Sequence, residues 1–124
     1  MSSSRSLAVA LALITVLAVP AFAGGNPDRG RELYESRCIG CHSLDANHIG
    51  PKHRGVYGRK AGSVPEFTYS PALKSSSLVW NDQTLMRWLT NPQEAIPGQR
   101  MNFRVSQAQD RADIIAYLRK ESGQ

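Results

Sequence analysis

Apolar residues recur at helical spacing in three segments of the 124-residue chain. The pattern predicts a first helix over about 27–37, where apolar and small residues three and four positions apart share one inward face. Asn26 is a favourable N-cap and Pro27 suits the first helical position, so both mark the start of this helix. Its inward residues are expected to be Gly30, Leu33 and Tyr34.

A second helix is predicted over about 82–90, and Pro92 limits its extent. Three apolar residues of this segment fall on one side of a helical wheel, which favours a buried face. They are Leu85, Trp88 and Leu89. A shorter helical turn is expected to begin at Ser70-Pro71, where a hydroxyl cap precedes a proline.

The last helix is predicted over about 107–121. Ser106 and Gln109 have the spacing of a capping box at its start. An apolar stripe at helical spacing would face the core. This stripe consists of Ile114, Ile115, Tyr117 and Leu118.

Residues 43–80 are rich in Gly, Pro and Ser and contain neither a long periodic run nor the alternation of a strand. The fold class is therefore expected to be all-α, with three main helices joined by long loops. Small domains often need a disulfide, a metal or a cofactor to complete their core.

The N-terminal segment has the features of a secretory signal peptide. Arg5 gives a positive start, residues 7–19 are almost continuously apolar, and 21–23 have the small-x-small pattern of a cleavage site. The apolar run is short for a membrane anchor, which is the alternative. We expect 1–23 to be removed after Ala23, and 24–124 to form a single periplasmic domain.

Charge disfavours one class of function. Lys and Arg number 15 and Asp and Glu 10, for a formal net charge of +5. The positive residues are scattered and form no polybasic run, which disfavours nucleic-acid binding. The same charge fits either a solvated surface or a basic face that steers an acidic partner.

The sequence from Cys38 to His42 is C-x-x-C-H, the spacing of a c-type haem attachment site. Cys38 and Cys41 are the only two cysteines in the chain. Two thiols three positions apart can each add to one haem vinyl group, while the following histidine presents a ring nitrogen to the iron. The motif predicts one covalently attached haem c with His42 as an iron ligand.

Three other uses of the cysteine pair remain open at this point. A thioredoxin-like redox centre needs a strand-and-helix context that the pattern lacks. A closed zinc site needs four ligands, and only His48 and His53 remain to complete one. A simple disulfide is the third. The histidine after the second cysteine and the export signal favour haem attachment over all three.

The second axial ligand has four candidates: Met86, Met101, His48 and His53. Met86 falls inside a predicted helix, and the two histidines follow closely after the attachment motif. Met101 lies in an irregular segment after a Pro-Gly pair, and such a loop can direct a thioether towards a fixed point. A core methionine that fills a gap is the alternative for Met101.

Together these motifs resemble the class I c-type cytochromes, close to mitochondrial cytochrome c and its soluble periplasmic bacterial relatives. The resemblance covers nearly all of 24–124. It rests on ordered motifs at compatible spacing: Gly30 and Tyr34, Cys38-x-x-Cys41-His42, Gly50-Pro51, 55–62, 67–70, Trp80, Pro97-Gly98, Met101, Phe103 and 113–118.

The resemblance implies the cytochrome c fold around one haem, with His42 and Met101 as the iron ligands. Pro51 would accept a hydrogen bond from the His42 ring. Haem propionates would be held by Arg59, Tyr69 and Trp80, and Phe103 would pack beside the haem edge. A partner-binding basic face would include Arg37, Lys52, Arg100 and Arg104.

The function implied is that of a soluble periplasmic single-electron carrier and not an enzyme, because a six-coordinate iron has no open substrate site. Its partners would be redox proteins with acidic docking surfaces, such as a cytochrome bc complex, an oxidase, a reaction centre or a dehydrogenase. It would serve a respiratory or photosynthetic chain as a monomer. The alternatives are a peroxidase-like or gas-binding cytochrome with a labile sixth ligand, and a dedicated electron-transfer subunit of one enzyme complex.

Overall fold

The computed structural model describes Met1 and residues 24–124, so the predicted signal peptide lies almost wholly outside the described residues. Five helices follow one another: α1 (Pro27–Arg37), α2 (Pro71–Lys74), α3 (Asp82–Thr90), α4 (Pro92–Ala95) and α5 (Ala108–Lys120). In this described part, extended pairing is limited to one isolated bridge between Lys60 and Val79. The all-α prediction and its three main helices are confirmed.

The crossing of α1 and α5 is the principal helix contact of the fold. Gly30 lies at this crossing, and a Cβ there would collide with the Asp113 carbonyl and reach the Tyr117 Cβ. Glycine therefore lets the two helix backbones approach each other directly. Around it, Leu33, Tyr34 and the predicted α5 stripe are buried, as the helical spacing indicated.

Two carboxylates on α5 add hydrogen bonds and ion pairs to this crossing. Asp113 accepts hydrogen bonds from the Asn26 backbone N–H at 2.8 Å and from Gln109 at 2.9 Å, and it pairs with Arg29. Asp110 pairs with both Arg29 and Arg37. Both aspartates are buried. Sequence periodicity placed them on α5 but did not predict their burial.

The start of α5 differs from the prediction. Gln107 is the N-cap, and no side chain caps the helix there, so the capping box of Ser106 and Gln109 was wrong. Gln109 instead bonds to Asp113 one turn later. Arg111 donates to the carbonyl oxygens of Val105 and Ser106. These hydrogen bonds hold the segment that precedes α5 against the first turn of the helix.

The middle of the chain forms the other wall of the core. A capping box joins Asn81 and Thr84 at the start of α3, whose inward residues are the three predicted. Pro92 ends the pattern as expected, but it also begins the short helix α4, which was not predicted. Within residues 24–124, every helix falls short of the length and apolarity that crossing a membrane requires.

Candidate functional site

A cavity of about 570 Å³ lies between the helices and the long loop segment, and apolar groups form most of its wall. The sequence had singled out nine site residues, and the structure brings all nine to this cavity. They are Cys38, Cys41, His42, Pro51, Arg59, Tyr69, Trp80, Met101 and Phe103. Residues from both ends of the chain therefore surround one space.

The attachment motif forms a turn at the end of α1. The backbone N–H of Cys41 bonds to the Cys38 carbonyl at 3.2 Å, and that of His42 bonds to the same carbonyl at 2.9 Å. This turn places both cysteines and the histidine along one wall of the cavity. Such an arrangement suits two attachment points and one ligand for a single flat group.

The surroundings of the cysteine pair argue against the alternative uses of these residues. Cys38 and Cys41 are not joined in a disulfide. Burial raises the pKa of the Cys38 thiol to about 11, with Arg37 opposing and Cys41 adding to the shift. A reactive redox thiol needs a lowered pKa, so this environment disfavours a thioredoxin-like centre. In residues 24–124, His, Cys, Asp and Glu side chains form no group of three or more that could hold a metal ion.

The His42 ring is oriented by a hydrogen bond at one of its two nitrogen atoms. Its Nδ1 lies 2.8 Å from the carbonyl oxygen of Pro51. A Cβ at Gly50 would collide with the His42 ring, so glycine is needed for the loop to pass this close. Burial lowers the pKa of His42, and the Pro51 hydrogen bond partly opposes that shift. The neutral ring therefore donates from Nδ1 and leaves Nε2 available to a metal.

The four candidates for the second ligand occupy different places. Met101 is half-buried and lines the cavity, on a loop shaped by the Pro97-Gly98 turn. Met86 has its sulfur 3.2 Å from Arg111 Nε and does not line the cavity. His48 is exposed and also lies outside the lining. His53 lines the cavity, but its ring is stacked on His42.

The polar part of the wall contains Arg59. Its guanidinium donates to the carbonyl oxygens of Lys52 at 2.8 Å and Arg54 at 3.2 Å. Burial lowers the pKa of Arg59, and nearby Tyr69 opposes the shift. Within residues 24–124 no carboxylate pairs with this guanidinium. A half-buried cation held only by carbonyl groups fits an anionic group in the cavity.

The remaining predicted residues divide between the interior and the rim. Tyr69 accepts the Val64 backbone N–H at its hydroxyl, 3.1 Å away. Trp80 is buried and meets Trp88 edge-on, with ring centroids 5.2 Å apart. Phe103 lines the cavity but is 41% exposed, which places it at the opening.

Sequence reasoning missed the relation between Tyr34 and His53. The sequence places Tyr34 at the helix crossing and offers His53 only as a candidate ligand of iron or zinc. In the structure the Tyr34 hydroxyl lies 3.0 Å from His53 Nδ1. No spacing rule joins residues of a helix and a loop 19 positions apart, so only the tertiary structure shows this pair.

The wall fits a haem group by its chemistry. It combines an apolar space, two thiols at the attachment spacing, an imidazole, a thioether and a cation without a carboxylate partner among the described residues. These are the donor types and surroundings used to hold a c-type haem. Covalent attachment would be made by Cys38 and Cys41.

Comparison with known proteins agrees with this chemistry. The cytochrome c family model matches residues 27–122. Cytochrome c of Gibberella zeae is 44% identical over 101 residues, covering 78% of this chain and 95% of the relative. Cytochrome c2 of Rhodomicrobium vannielii is 40% identical over 113 residues, covering 88% and 90%.

A solved structure shows the same fold. Cytochrome cH from Methylobacterium extorquens superposes with a TM-score of 0.74 at 37% identity, covering 77% of this chain and 99% of the other. The family carries covalent haem c, and this chain has its two cysteines at the attachment spacing. The chain therefore belongs to the cytochrome c family and is a class I c-type cytochrome with the all-α cytochrome c fold.

Proposed function

We propose that this cytochrome c is an exported single-electron carrier whose haem iron is ligated by His42 and Met101. The single observation that carries the proposal is the cavity itself, which brings the attachment cysteines, an oriented imidazole and a loop methionine to one apolar space. The haem supplies the one-electron chemistry. The chain supplies the ligands, the surroundings and the access of partners.

His42 serves as the proximal ligand because its two ring nitrogens are differentiated. Nδ1 donates to Pro51, so the ring orientation is restrained and Nε2 keeps its lone pair. Burial favours the neutral ring through the lowered pKa described above. A neutral imidazole is the form that binds a metal.

Met101 serves as the distal ligand. The other methionine of the described domain contacts Arg111, and the two other histidines are either exposed or stacked on His42. A thioether is a soft donor that favours ferrous iron, so His/Met ligation raises the reduction potential. Two strong axial ligands would leave no coordination position for peroxide or a gas, which supports a carrier over an enzyme.

Arg59, Tyr69 and Trp80 hold the anionic edge of the haem in this proposal. Arg59 has donors beyond those used on the two carbonyl groups, and it lacks a carboxylate partner within 24–124. All three residues line the cavity, and among them Arg59 contributes a positive charge and Tyr69 a hydroxyl. A haem propionate would provide the carboxylate partner that Arg59 lacks among residues 24–124.

Electron transfer to partners occurs near Phe103, at the opening of the cavity. Arg100 and Arg104 are close to it in the sequence and exposed, while Arg37 is paired with Asp110. Exposed arginines favour encounter with acidic redox proteins. These would be a cytochrome bc complex, an oxidase, a reaction centre or a dehydrogenase, reached in the periplasm after cleavage behind Ala23.

Ligand binding tests the carrier against its rivals. Reduced wild-type protein is mixed with carbon monoxide, and oxidised protein with peroxide, beside a Met101→Ala variant and a Met86→Ala control. We expect wild type and Met86→Ala to bind carbon monoxide slowly or not at all, and Met101→Ala to bind it readily and gain peroxidase turnover. Wild-type turnover equal to that of Met101→Ala would overturn the proposal in favour of an enzyme.

Export and assembly are tested separately. Fractionation of cells, followed by N-terminal sequencing of the purified protein, should yield a periplasmic chain that begins at Gly24. Gel filtration of a native extract should show a monomer. An uncleaved chain in the membrane fraction, or a stable complex with one enzyme, would contradict these parts of the proposal.

A further inference from the structure

The rings of His42 and His53 lie face to face in the cavity wall. Their centroids are 3.9 Å apart and their planes are inclined by 20°. Face-to-face contact at this distance gives dispersion attraction between the two rings and fixes their relative orientation. The Pro51 hydrogen bond restrains one edge of the His42 ring, and the His53 face restrains its tilt.

His53 is itself held on several sides. Its backbone N–H bonds to the Ser43 carbonyl at 3.0 Å, and its carbonyl accepts the Val56 N–H at 2.9 Å. Its Nδ1 lies 3.0 Å from the hydroxyl of Tyr34, and the two rings meet edge-on. The position of the His53 ring is therefore set by the chain around it and not by His42 alone.

Tyr34 connects this arrangement to the helix crossing. It is 2% exposed, and its ring packs against Tyr117 of α5 with centroids 5.3 Å apart. A buried hydroxyl in this place needs a partner, and His53 provides it. The order Tyr117, Tyr34, His53, His42 thus runs from the α1–α5 core to the ring assigned to the iron.

We propose that His53 is a positioning residue for the axial histidine: stacked on His42 and held by Tyr34, it sets the plane in which the His42 ring is presented to the iron. The inference rests on the proposed role of His42 as a ligand. The orientation of an axial ring determines its overlap with the metal orbitals, and groups around a metal ligand tune the metal. His53 therefore affects the electronic state of the iron without touching it.

The test uses the haem-loaded protein and three variants, with His48→Leu as the matched control. His53→Leu removes the ring, and His53→Phe keeps a flat ring without its nitrogen atoms. Tyr34→Phe keeps the stack and removes the hydroxyl partner. The first readout is the set of hyperfine-shifted NMR signals of the His42 ring in the oxidised protein, which report the orientation of that ring. The second is the reduction potential.

We expect His53→Leu to change the His42 ring shifts well beyond the difference between wild type and His48→Leu. His53→Phe should keep most of the wild-type pattern, and Tyr34→Phe should lie between them. An aliphatic side chain is less polar than imidazole, so His53→Leu should favour ferrous iron. The expected gain in the reduction equilibrium constant is about threefold, or about 28 mV at 59 mV per tenfold for one electron.

Two results would overturn the inference in distinguishable ways. If His53→Leu retains the wild-type ring shifts and potential while His42 remains bound, the stack does not position the ligand. If wild-type protein shows no hyperfine-shifted His42 ring signals, His42 is not the ligand and the proposed function itself fails. If His53→Leu does not assemble with haem, the other two variants test the inference. The inference would be contradicted if Tyr34→Phe kept the wild-type His42 ring shifts while His53→Phe lost them.

Discussion

The substitution Gly30→Ala tests the packing on which the whole site depends. A Cβ at this position would come within 3.0 Å of the Tyr117 Cβ and closer still to the Asp113 carbonyl. The obstacle is the backbone of α5, which cannot rotate aside as a flexible side chain would. The two terminal helices would have to separate, and this separation would reach the cavity through Tyr34.

The expected loss of unfolding free energy in Gly30→Ala follows from two opposing effects. Overpacking of a close contact typically costs about 1–3 kcal/mol, and a rigid backbone obstacle favours the upper end. Alanine gains about 1 kcal/mol over glycine in a helix interior. The net loss of unfolding free energy should therefore be about 2 kcal/mol, or roughly a 30-fold shift towards the unfolded state.

Denaturant unfolding of the haem-loaded protein measures this loss as a lower midpoint at an unchanged slope. Gly40→Ala is the matched control, because a Cβ there would meet nothing within 4 Å. We expect this control to change stability by less than about 0.5 kcal/mol. If Gly30→Ala proves as stable as Gly40→Ala, the close approach of α1 and α5 is not required and the reasoning fails.

Three further predictions concern charged residues. Asp113→Asn should cost about 2 kcal/mol of unfolding free energy by denaturant titration, because Asn26 and Gln109 lose a charged acceptor; an unchanged midpoint would contradict this. Acid should lower the unfolding free energy of the wild-type protein. Burial raises the pKa of Asp113, but its hydrogen bonds outweigh burial and hold the pKa below the ordinary 3.8. The stabilisation from the ionised carboxylate is therefore complete above pH 3.8 and is lost as the pH falls through the lower folded-state pKa. A pH series should show this loss in wild type and a flatter profile in Asp113→Asn. Arg59→Gln should lower the reduction potential, because a positive charge near ferrous iron is lost. The equilibrium constant for reduction should fall by roughly fivefold, or about 1 kcal/mol. A raised potential in voltammetry would refute the role of Arg59.

Local signals in the sequence were enough to predict the main helices. Periodicity together with Asn26-Pro27 gave the bounds of α1, and Pro92 marked the end of α3. The short helix α4 was missed because four residues carry no period. The Ser106 cap failed because α5 begins at Ala108 with Gln107 as its N-cap, so Ser106 lies one residue before the capping position.

Where residue chemistry is tied to spacing, the sequence singled out residues that share one cavity. Cys38, Cys41 and His42 share one motif, and the structure brings the other predicted residues to the same cavity. The resemblance to a known family supplied the partners that no spacing rule connects. Neither source indicated that Asp113 is buried or that His53 stacks on His42, because both depend on how distant segments pack.

Absorption spectra of the purified mature protein test whether the haem site is closed, with His42 and Met101 as ligands. We expect a covalently bound, low-spin haem in both oxidation states. The oxidised protein should show a far-red methionine–iron band that disappears in Met101→Ala and persists in Met86→Ala. A high-spin spectrum without that band in wild-type protein would contradict ligation by His42 and Met101.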